Sequence, residues 1–307
     1  MEDQSSRRFS LKDIFRLLKG TYTAWNNDDP WRLSAVVAYY ALLSLPALLV
    51  IVVNVAGSIY GQEAVTGELT DQVSAAIGKE AAESVEEMIL EASKSEQSIL
   101  STIIGIGTLL FGATGVFFHL QKSLNQVWNV RQDPKSPFKR MVFDRVRGFG
   151  FVLVIGFLLL LSLALTSILS VLSDWFRAQL PDFLIPIFFI LNFLISFGVI
   201  TVLFALIFKF LPDVDIQWRT VWIGAIVTSL LFSLGEFLLG IYFGHSNPGS
   251  TYGAAGSLIL ILLWVSYSCL ILFFGAEFTQ VFAKFYGHPI QPSSHAVSVK
   301  IVERIEE

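Results

Sequence analysis

The chain has 307 residues, of which 54% are hydrophobic and 15% are charged, whereas an average soluble protein is about 25% charged. This composition excludes an ordinary soluble domain and indicates a polytopic membrane protein. The formal net charge of −4 gives no sign of a nucleic-acid partner. The single cysteine, Cys269, excludes an intramolecular disulfide and a cysteine metal cluster.

The first 32 residues are predicted to form a cytoplasmic amphipathic segment. Leu11, Ile14, Phe15 and Leu18 recur at helical spacing, and the opposite face of this helix carries lysine and arginine. Two arrangements fit this pattern: the helix lies in the membrane interface, or it docks on the rest of the protein.

Six uncharged or nearly uncharged runs follow, and each is long enough to be a membrane helix. A helix rises about 1.5 Å per residue, so roughly 20 apolar residues cross a hydrocarbon core about 30 Å thick. The sequence therefore predicts an all-α fold with a six-helix transmembrane bundle over residues 33–284. The predicted spans are 33–60, 99–120, 148–173, 183–208, 220–243 and 252–281.

Polar residues and a proline interrupt the first span. Tyr39, Tyr40 and Asn54 lie in an otherwise apolar run, and Pro46 removes a backbone donor near mid-membrane. A break of this kind can line a transport cavity, and these four residues are then cavity candidates. It is equally a packing device of membrane helices.

Residues 62–97 carry nine carboxylates against two lysines and separate the first two spans. Apolar residues at spacings of three and four predict two helices with a break at Gly78. We expect them to form a helical hairpin on the extracytoplasmic face. The acidic stripe could gate a route or repel anions, but a solvated surface is the simpler interpretation.

Positive charge concentrates in the loop after the second span and sets the predicted orientation. The positive-inside rule places this loop, both termini and the 285–307 tail in the cytoplasm. The same residues could bind anionic lipid headgroups at about 1 kcal/mol each, although orientation alone accounts for several of them. The candidates are Arg131, Lys135, Lys139, Arg140, Arg145 and Arg147.

Two carboxylates fall inside predicted spans, where an ionisable group is costly and normally faces a partner or water. Glu236 lies in the outer half of the fifth span. It either titrates or binds a cation in an internal cavity, or it reaches interfacial water or a neighbouring helix. Glu277 lies near the cytoplasmic end of the sixth span, where a salt bridge with Lys284 or a packing role is a simpler assignment than a transport role.

Small residues mark two places where helices are predicted to pack closely, because small side chains let backbones approach each other in lipid. One is the four-residue spacing of Gly240 and Gly244 in the fifth span. The other opens the sixth span beside the cavity candidate Tyr252, at Gly253, Gly256 and Ser257. The second group could equally shape the loop before the helix.

Three blocks of sequence resemble those of the YihY/virulence factor BrkB family of bacterial inner-membrane proteins. They are YYALLSLPALL at Tyr39–Leu49, GSTYGAAGS at Gly249–Ser257 and FFGAEFT at Phe273–Thr279. The resemblance extends over nearly the whole chain and implies a multi-pass, six-helix protein of the bacterial inner (plasma) membrane.

This family once carried a ribonuclease label, which the residues do not support. The sequence has no metal-ligand spacing, phosphate-binding glycine loop or serine nucleophile motif. We therefore expect no enzyme activity, no metal, no cofactor and no nucleic-acid partner.

Two functions remain. One is a transporter or flippase-like translocator of an amphiphilic or lipid-related substrate, whose interrupted helices and intramembrane acid would line the route. The other is a non-transporting membrane scaffold or envelope-integrity protein that acts through helix–helix association. Membrane lipids and a second copy of the chain are the expected partners.

Overall fold

The structure is a computed structural model, and it describes six continuous stretches of the chain together with scattered residues of one further helix. The stretches are 11–93, 114–132, 185–246, 255–287, 289–293 and 296–299, and the scattered residues are 146, 148, 150–151, 153–155 and 157–158. Within them the chain is mainly helical.

Eight helices can be followed in chain order. They are α1 (Leu11–Asn27), α2 (Pro30–Tyr60), α3 (Gln62–Ile77), α4 (Lys79–Ser93), α5 (114–127), α6 (Ile185–Phe210), α7 (Trp218–Ser246) and α8 (Gly256–Phe285).

Four of these helices, α2, α6, α7 and α8, are long and apolar enough to cross a membrane. They correspond to the predicted first, fourth, fifth and sixth spans. Most of the predicted second and third spans lies outside the described residues, so the count of six remains a prediction. The all-α membrane class is confirmed.

Helix boundaries follow from proline and glycine. Pro30 begins α2, since proline is suited to the first turn of a helix, and the first span therefore starts earlier than predicted. Gly61 and Gly78 have φ values of 89° and 98° and separate α2, α3 and α4. Only glycine adopts this conformation without steric cost. The break predicted at Gly78 is therefore present, whereas the outer placement of α3 and α4 stays a prediction.

Helix α8 is the centre of the described bundle and contacts α1, α2, α3, α4 and α7. Two buried apolar clusters lie along it. One joins its C-terminal half to α2, α5, α6 and α7 around Phe208 and Phe273. The other joins its N-terminal part to α2, α3 and α4 around Val85 and Leu260. Because α2 begins beside α1 and ends beside α3, these clusters lie toward opposite ends of the bundle.

The tightest helix crossing, between α7 and α8, is built from two reciprocal glycine–threonine pairs. A Cβ atom added to Gly224 would collide with Thr279, and one added to Gly275 would collide with Thr228. Each threonine hydroxyl donates to the carbonyl four residues earlier, at 2.7 Å in both cases. The absence of side chains on the glycines therefore lets the two backbones approach.

Helix α1 docks on α8, and a different face of it stays exposed. Leu17 and Thr21 are buried, and the indole nitrogen of Trp25 donates to the Leu270 carbonyl at 3.2 Å. Ile14, Phe15, Leu18 and Tyr22 remain exposed. The docked arrangement is therefore observed, and the exposed apolar residues still fit contact with a membrane interface.

Two regions predicted as loop or tail are structured. Helix α5 continues past residue 120 to residue 127, because Leu120, Leu124 and Val127 recur at helical spacing and are buried. The strands β1 (Val130–Gln132) and β2 (Val214–Asp215) pair antiparallel with β4 (Ala296–Ser298) and β3 (Gln291–Pro292), respectively. Residues of the predicted tail thus pair with the segments that follow α5 and α6.

Candidate functional site

The candidate site is an open groove between α6 and α7, which Ala75 of α3 also lines. Residues at spacings of three and four line it from both helices, which places them on the facing surfaces. Its volume is about 570 Å³. The lining residues are Phe193, Ser196, Phe197 and Ile200 from α6, and Ser233, Glu236, Phe237, Gly240 and Ile241 from α7.

The groove combines apolar walls with one acidic group. Glu236 is half-buried, and no described residue forms a hydrogen bond or ion pair with it. The hydroxyls of Ser196 and Ser233 are the other side-chain polar groups of the lining. Such a site can surround the apolar part of a ligand and offer a carboxylate and two hydroxyls to its polar part.

Helix α7 presents an exposed apolar stripe beside the groove. Trp218, Trp222, Ile226, Leu230, Leu234 and Ile241 are all exposed, and their spacing places them on one side of the helix. From Trp218 to Ile241 the helix rises about 35 Å, close to the thickness of a hydrocarbon core of about 30 Å. A stripe of this length is typical of a lipid-facing surface, and the two tryptophans at its start fit a membrane interface.

Glu277, the second predicted carboxylate, lies elsewhere and is far more enclosed. It is 1% exposed, in the C-terminal half of α8. Lys284 is exposed and forms no ion pair with it within 4 Å, so of the two simpler assignments, a salt bridge or a packing role, the structure does not show the salt bridge. The route predicted to include Glu236 and Glu277 therefore corresponds to two separate places in the described structure.

The cavity candidates of the first span do not join the groove. Helix α2 continues through Pro46, and a cavity at this proline stays a prediction. Tyr39 is exposed, and the ring of Tyr40 stacks on that of His119 at 3.5 Å between centroids. Asn54 is exposed and accepts a hydrogen bond from the Gln62 side chain at 3.1 Å. Tyr252 lies outside the described residues.

The residues predicted to pack closely differ in their surroundings. Gly240 has no atom within 4 Å of a Cβ position and instead opens the groove wall. Gly256 is buried and Ser257 is half-buried at the start of α8. Gly253 lies outside the described residues, as do the surroundings of Gly244. The close contacts occur at Gly224, Gly235 and Gly275, and a signal was present, since Gly224 with Thr228 and Gly275 with Thr279 each form a small-xxx-small pair.

A buried polar cluster between α5 and the turn that follows α6 was missed. Asp213 is buried after α6 and accepts hydrogen bonds from the side chains of Asn125 and Gln121, at 2.9 and 3.3 Å. The Asn125 side chain in turn accepts from the Asp213 backbone N–H at 2.8 Å. The cluster joins α5 to the turn before β2, which is a structural role.

The basic candidates are largely outside the described residues, namely Lys135, Lys139, Arg140, Arg145 and Arg147. Arg131 is exposed in β1, opposite Val297 of β4. Headgroup binding by this group therefore stays a prediction. Among the described residues, no group of three or more histidine, cysteine, aspartate or glutamate side chains could hold a metal ion.

Comparison with known proteins gives one family. The model of the family described as "Virulence factor BrkB" matches residues 21–298. A UPF0761 membrane protein of Alteromonas mediterranea is 25% identical over 271 residues, which cover 88% of this chain and 87% of that protein. Another, of Pseudoalteromonas translucida, is 23% identical and covers 82% of this chain and 81% of that protein.

A third relative is longer than the matched part. The UPF0761 membrane protein of Verminephrobacter eiseniae is 29% identical over 179 residues, and the match covers 58% of this chain but 40% of that protein. No solved structure matches the chain.

Proposed function

The chain belongs to the virulence factor BrkB family of membrane proteins, and we propose that it is a flippase-like translocator of an amphiphilic or lipid-related substrate. The observation that carries this proposal is the groove between α6 and α7, which holds Glu236 among apolar walls beside the lipid-facing stripe of α7. An amphiphile needs an apolar surface for its tail and a polar group for its head, and the groove offers both.

A carboxylate at this position requires an explanation. Placing a charged side chain among lipid tails costs about 2.5–3.5 kcal/mol on insertion scales. A purely structural helix would carry an apolar residue here, as at the neighbouring Phe237. The cost is offset when the groove holds water or the polar head of a substrate, with the apolar tail of that substrate against Phe193 and Phe197.

The proposed setting is the bacterial inner membrane, with six spans and cytoplasmic termini. A difference in exposed charge between the two ends of the described bundle supports this orientation. The exposed carboxylates Glu83, Glu86 and Glu87 lie on α4 at one end, whereas the exposed basic residues Arg16 and Lys19 lie on α1 at the other. The positive-inside rule assigns the α1 end to the cytoplasm.

Movement of fluorescent phospholipid in proteoliposomes tests the function. The purified full chain is compared with Glu236→Gln, with Glu87→Gln as a matched control at an exposed carboxylate of α4, and with protein-free vesicles. We expect lipid movement with wild type and with Glu87→Gln, and loss of it with Glu236→Gln. Folded wild-type protein that moves no phospholipid and no other amphiphile above the protein-free rate would refute translocation.

The alternative is a scaffold that acts through helix–helix association. The exposed apolar stripe of α7 favours it, since such a surface can bind a second copy as well as lipid tails. Replacing Trp222, Ile226 and Leu230 by alanine would then convert an oligomer into a monomer, measured by light scattering in detergent. A monomeric wild-type protein would exclude self-association as its mode of action.

A further inference from the structure

Glu277 is buried, and no described residue donates a hydrogen bond to its carboxylate oxygens. It is 1% exposed. Other polar side chains buried nearby are satisfied: Thr279 donates to the Gly275 carbonyl at 2.7 Å, and the Trp128 indole donates to the Ala276 carbonyl at 2.9 Å. Because buried polar groups are almost always hydrogen-bonded, two orphaned oxygens on one side chain point to something that binds them.

The nearest charged group to consider is a second acid. Asp28 lies in the turn between α1 and α2, and its carboxyl interacts with that of Glu277. The turn holds it in place: its backbone N–H donates to the Ala24 carbonyl at 3.2 Å. The neighbouring Asp29 has a φ of 54° and is paired with Arg32 at 2.8 Å. Arg32 is thereby engaged with Asp29.

The remaining positive charge is exposed to solvent and forms no ion pair with Glu277. Lys284, in the last turn of α8, acts on Glu277 only through space and is exposed. Among the described residues, the helices α2, α3, α4 and α7 that pack on α8 bring no other charged group to it. Two ionised carboxylates that face each other without a cation repel.

We propose that Asp28 and Glu277 form a proton-binding pair that ties the α1–α2 turn to α8. The proton lies on one carboxyl and is donated to the other, so that the pair carries one negative charge when occupied. Removing the proton leaves two negative charges in an enclosed site. A proton suits the site better than a metal ion, because the described residues supply two carboxyls and no third ligand of the usual kind.

The pair lies at the contact between the α1–α2 turn and α8, so its protonation state can affect that contact. The same turn is held to α8 by the hydrogen bond from Trp25 to the Leu270 carbonyl, and the Trp25 ring packs edge-on against Phe274 at 6.0 Å. Repulsion between Asp28 and Glu277 would therefore loosen the contact of α1 with α8. This inference does not rest on the proposed translocation, since it concerns a different place in the bundle.

Infrared spectroscopy of the purified full chain in lipid, recorded across pH, tests the pair directly. A protonated carboxyl has a C=O band that carboxylates lack. Wild type should keep such a band after exposed acids, with ordinary pKa values near 4, have ionised. Glu277→Gln should lose it, whereas Glu87→Gln, at an exposed acid, should keep it. Asp28→Asn should keep the band and displace the pH at which it disappears.

Other outcomes would overturn the proposal. An identical band in wild type and Glu277→Gln would show that the proton is elsewhere. If Glu277→Gln does not fold, Asp28→Asn decides, and an unchanged titration of the band would exclude a shared proton. Absence of the band, together with stabilisation of wild type but not of Asp28→Asn by sodium ions, would mean that the pair binds a metal ion. None of these readouts depends on lipid movement.

Discussion

The crossing of α7 and α8 makes the sharpest stability prediction, through the substitution Gly275→Ala. The added Cβ would collide with the Oγ1 atom of Thr228 and would lie 2.8 Å from its Cβ and 2.9 Å from its Cγ2. These distances are well inside van der Waals contact. Thr228 cannot turn aside cheaply, because its hydroxyl bonds to the Gly224 carbonyl and its Cβ belongs to the helix itself.

The expected loss follows from two opposing effects. Overpacking a well-filled contact costs about 1–3 kcal/mol, whereas replacing glycine by alanine in a helix gains up to about 1 kcal/mol. We expect a net loss of about 1–2 kcal/mol in the free energy of unfolding. The double variant Gly275→Ala/Thr228→Gly removes the colliding atoms, so the two substitutions should couple favourably by about 1 kcal/mol or more.

Thermal unfolding in detergent, followed by circular dichroism, measures the difference. Gly240→Ala is the matched control, because nothing lies within 4 Å of its Cβ position and the helix should be unchanged or slightly stabilised. Equal stability of Gly275→Ala and Gly240→Ala would refute the packing described for α7 and α8.

Three further results are expected. Asp213→Ala should lower the free energy of unfolding by about 1–3 kcal/mol, because it removes the carboxylate that accepts hydrogen bonds from the buried side chains of Asn125 and Gln121. The control is Asp215→Ala at an exposed position, which should unfold like wild type. Trp128→Phe should cost about 1 kcal/mol through loss of the 2.9 Å bond to the Ala276 carbonyl, and an unchanged unfolding curve would contradict that bond. Desolvation and the Asp13 charge raise the pKa of Tyr286, so Asp13→Asn should shift the phenolate absorbance of Tyr286 to lower pH. Tyr286→Phe identifies the signal, and an unchanged titration in Asp13→Asn would show that the Asp13 charge does not act on Tyr286.

Long apolar runs were the most reliable guide to the fold. The bounds of α6, α7 and α8 lie within a few residues of the predicted spans 183–208, 220–243 and 252–281. The agreement is close because the hydrocarbon core of the membrane sets both the length of a spanning helix and its apolar composition. Boundaries moved where a local residue decided them, as Pro30 does for α2. Helix α5 was ended too early, because Gln121 and Asn125 look like loop residues until Asp213 is known to bind them.

The site was predictable residue by residue but not as an assembly. An acid inside an apolar run singled out Glu236, which is half-buried in the groove, and Glu277, which is buried in α8. The sequence does not show which helices face each other. Glu236 and Glu277 were therefore grouped with Pro46 and Asn54 as candidates for one route. Gly240 was predicted to pack closely but lines the groove, because glycine fits a tight contact and an open groove equally well and only its neighbours distinguish them. Asp28 was passed over because its partner is about 250 positions away along the chain.

Blocking the groove tests the central claim most directly. Gly240→Trp places a large side chain where no atom lies within 4 Å of the Cβ position, so the helix should fold as in wild type while the groove is filled. In proteoliposomes we expect wild-type lipid movement to fall to the protein-free rate in Gly240→Trp, with an unchanged unfolding temperature. Wild-type movement in a folded Gly240→Trp protein would show that the substrate does not pass through this groove.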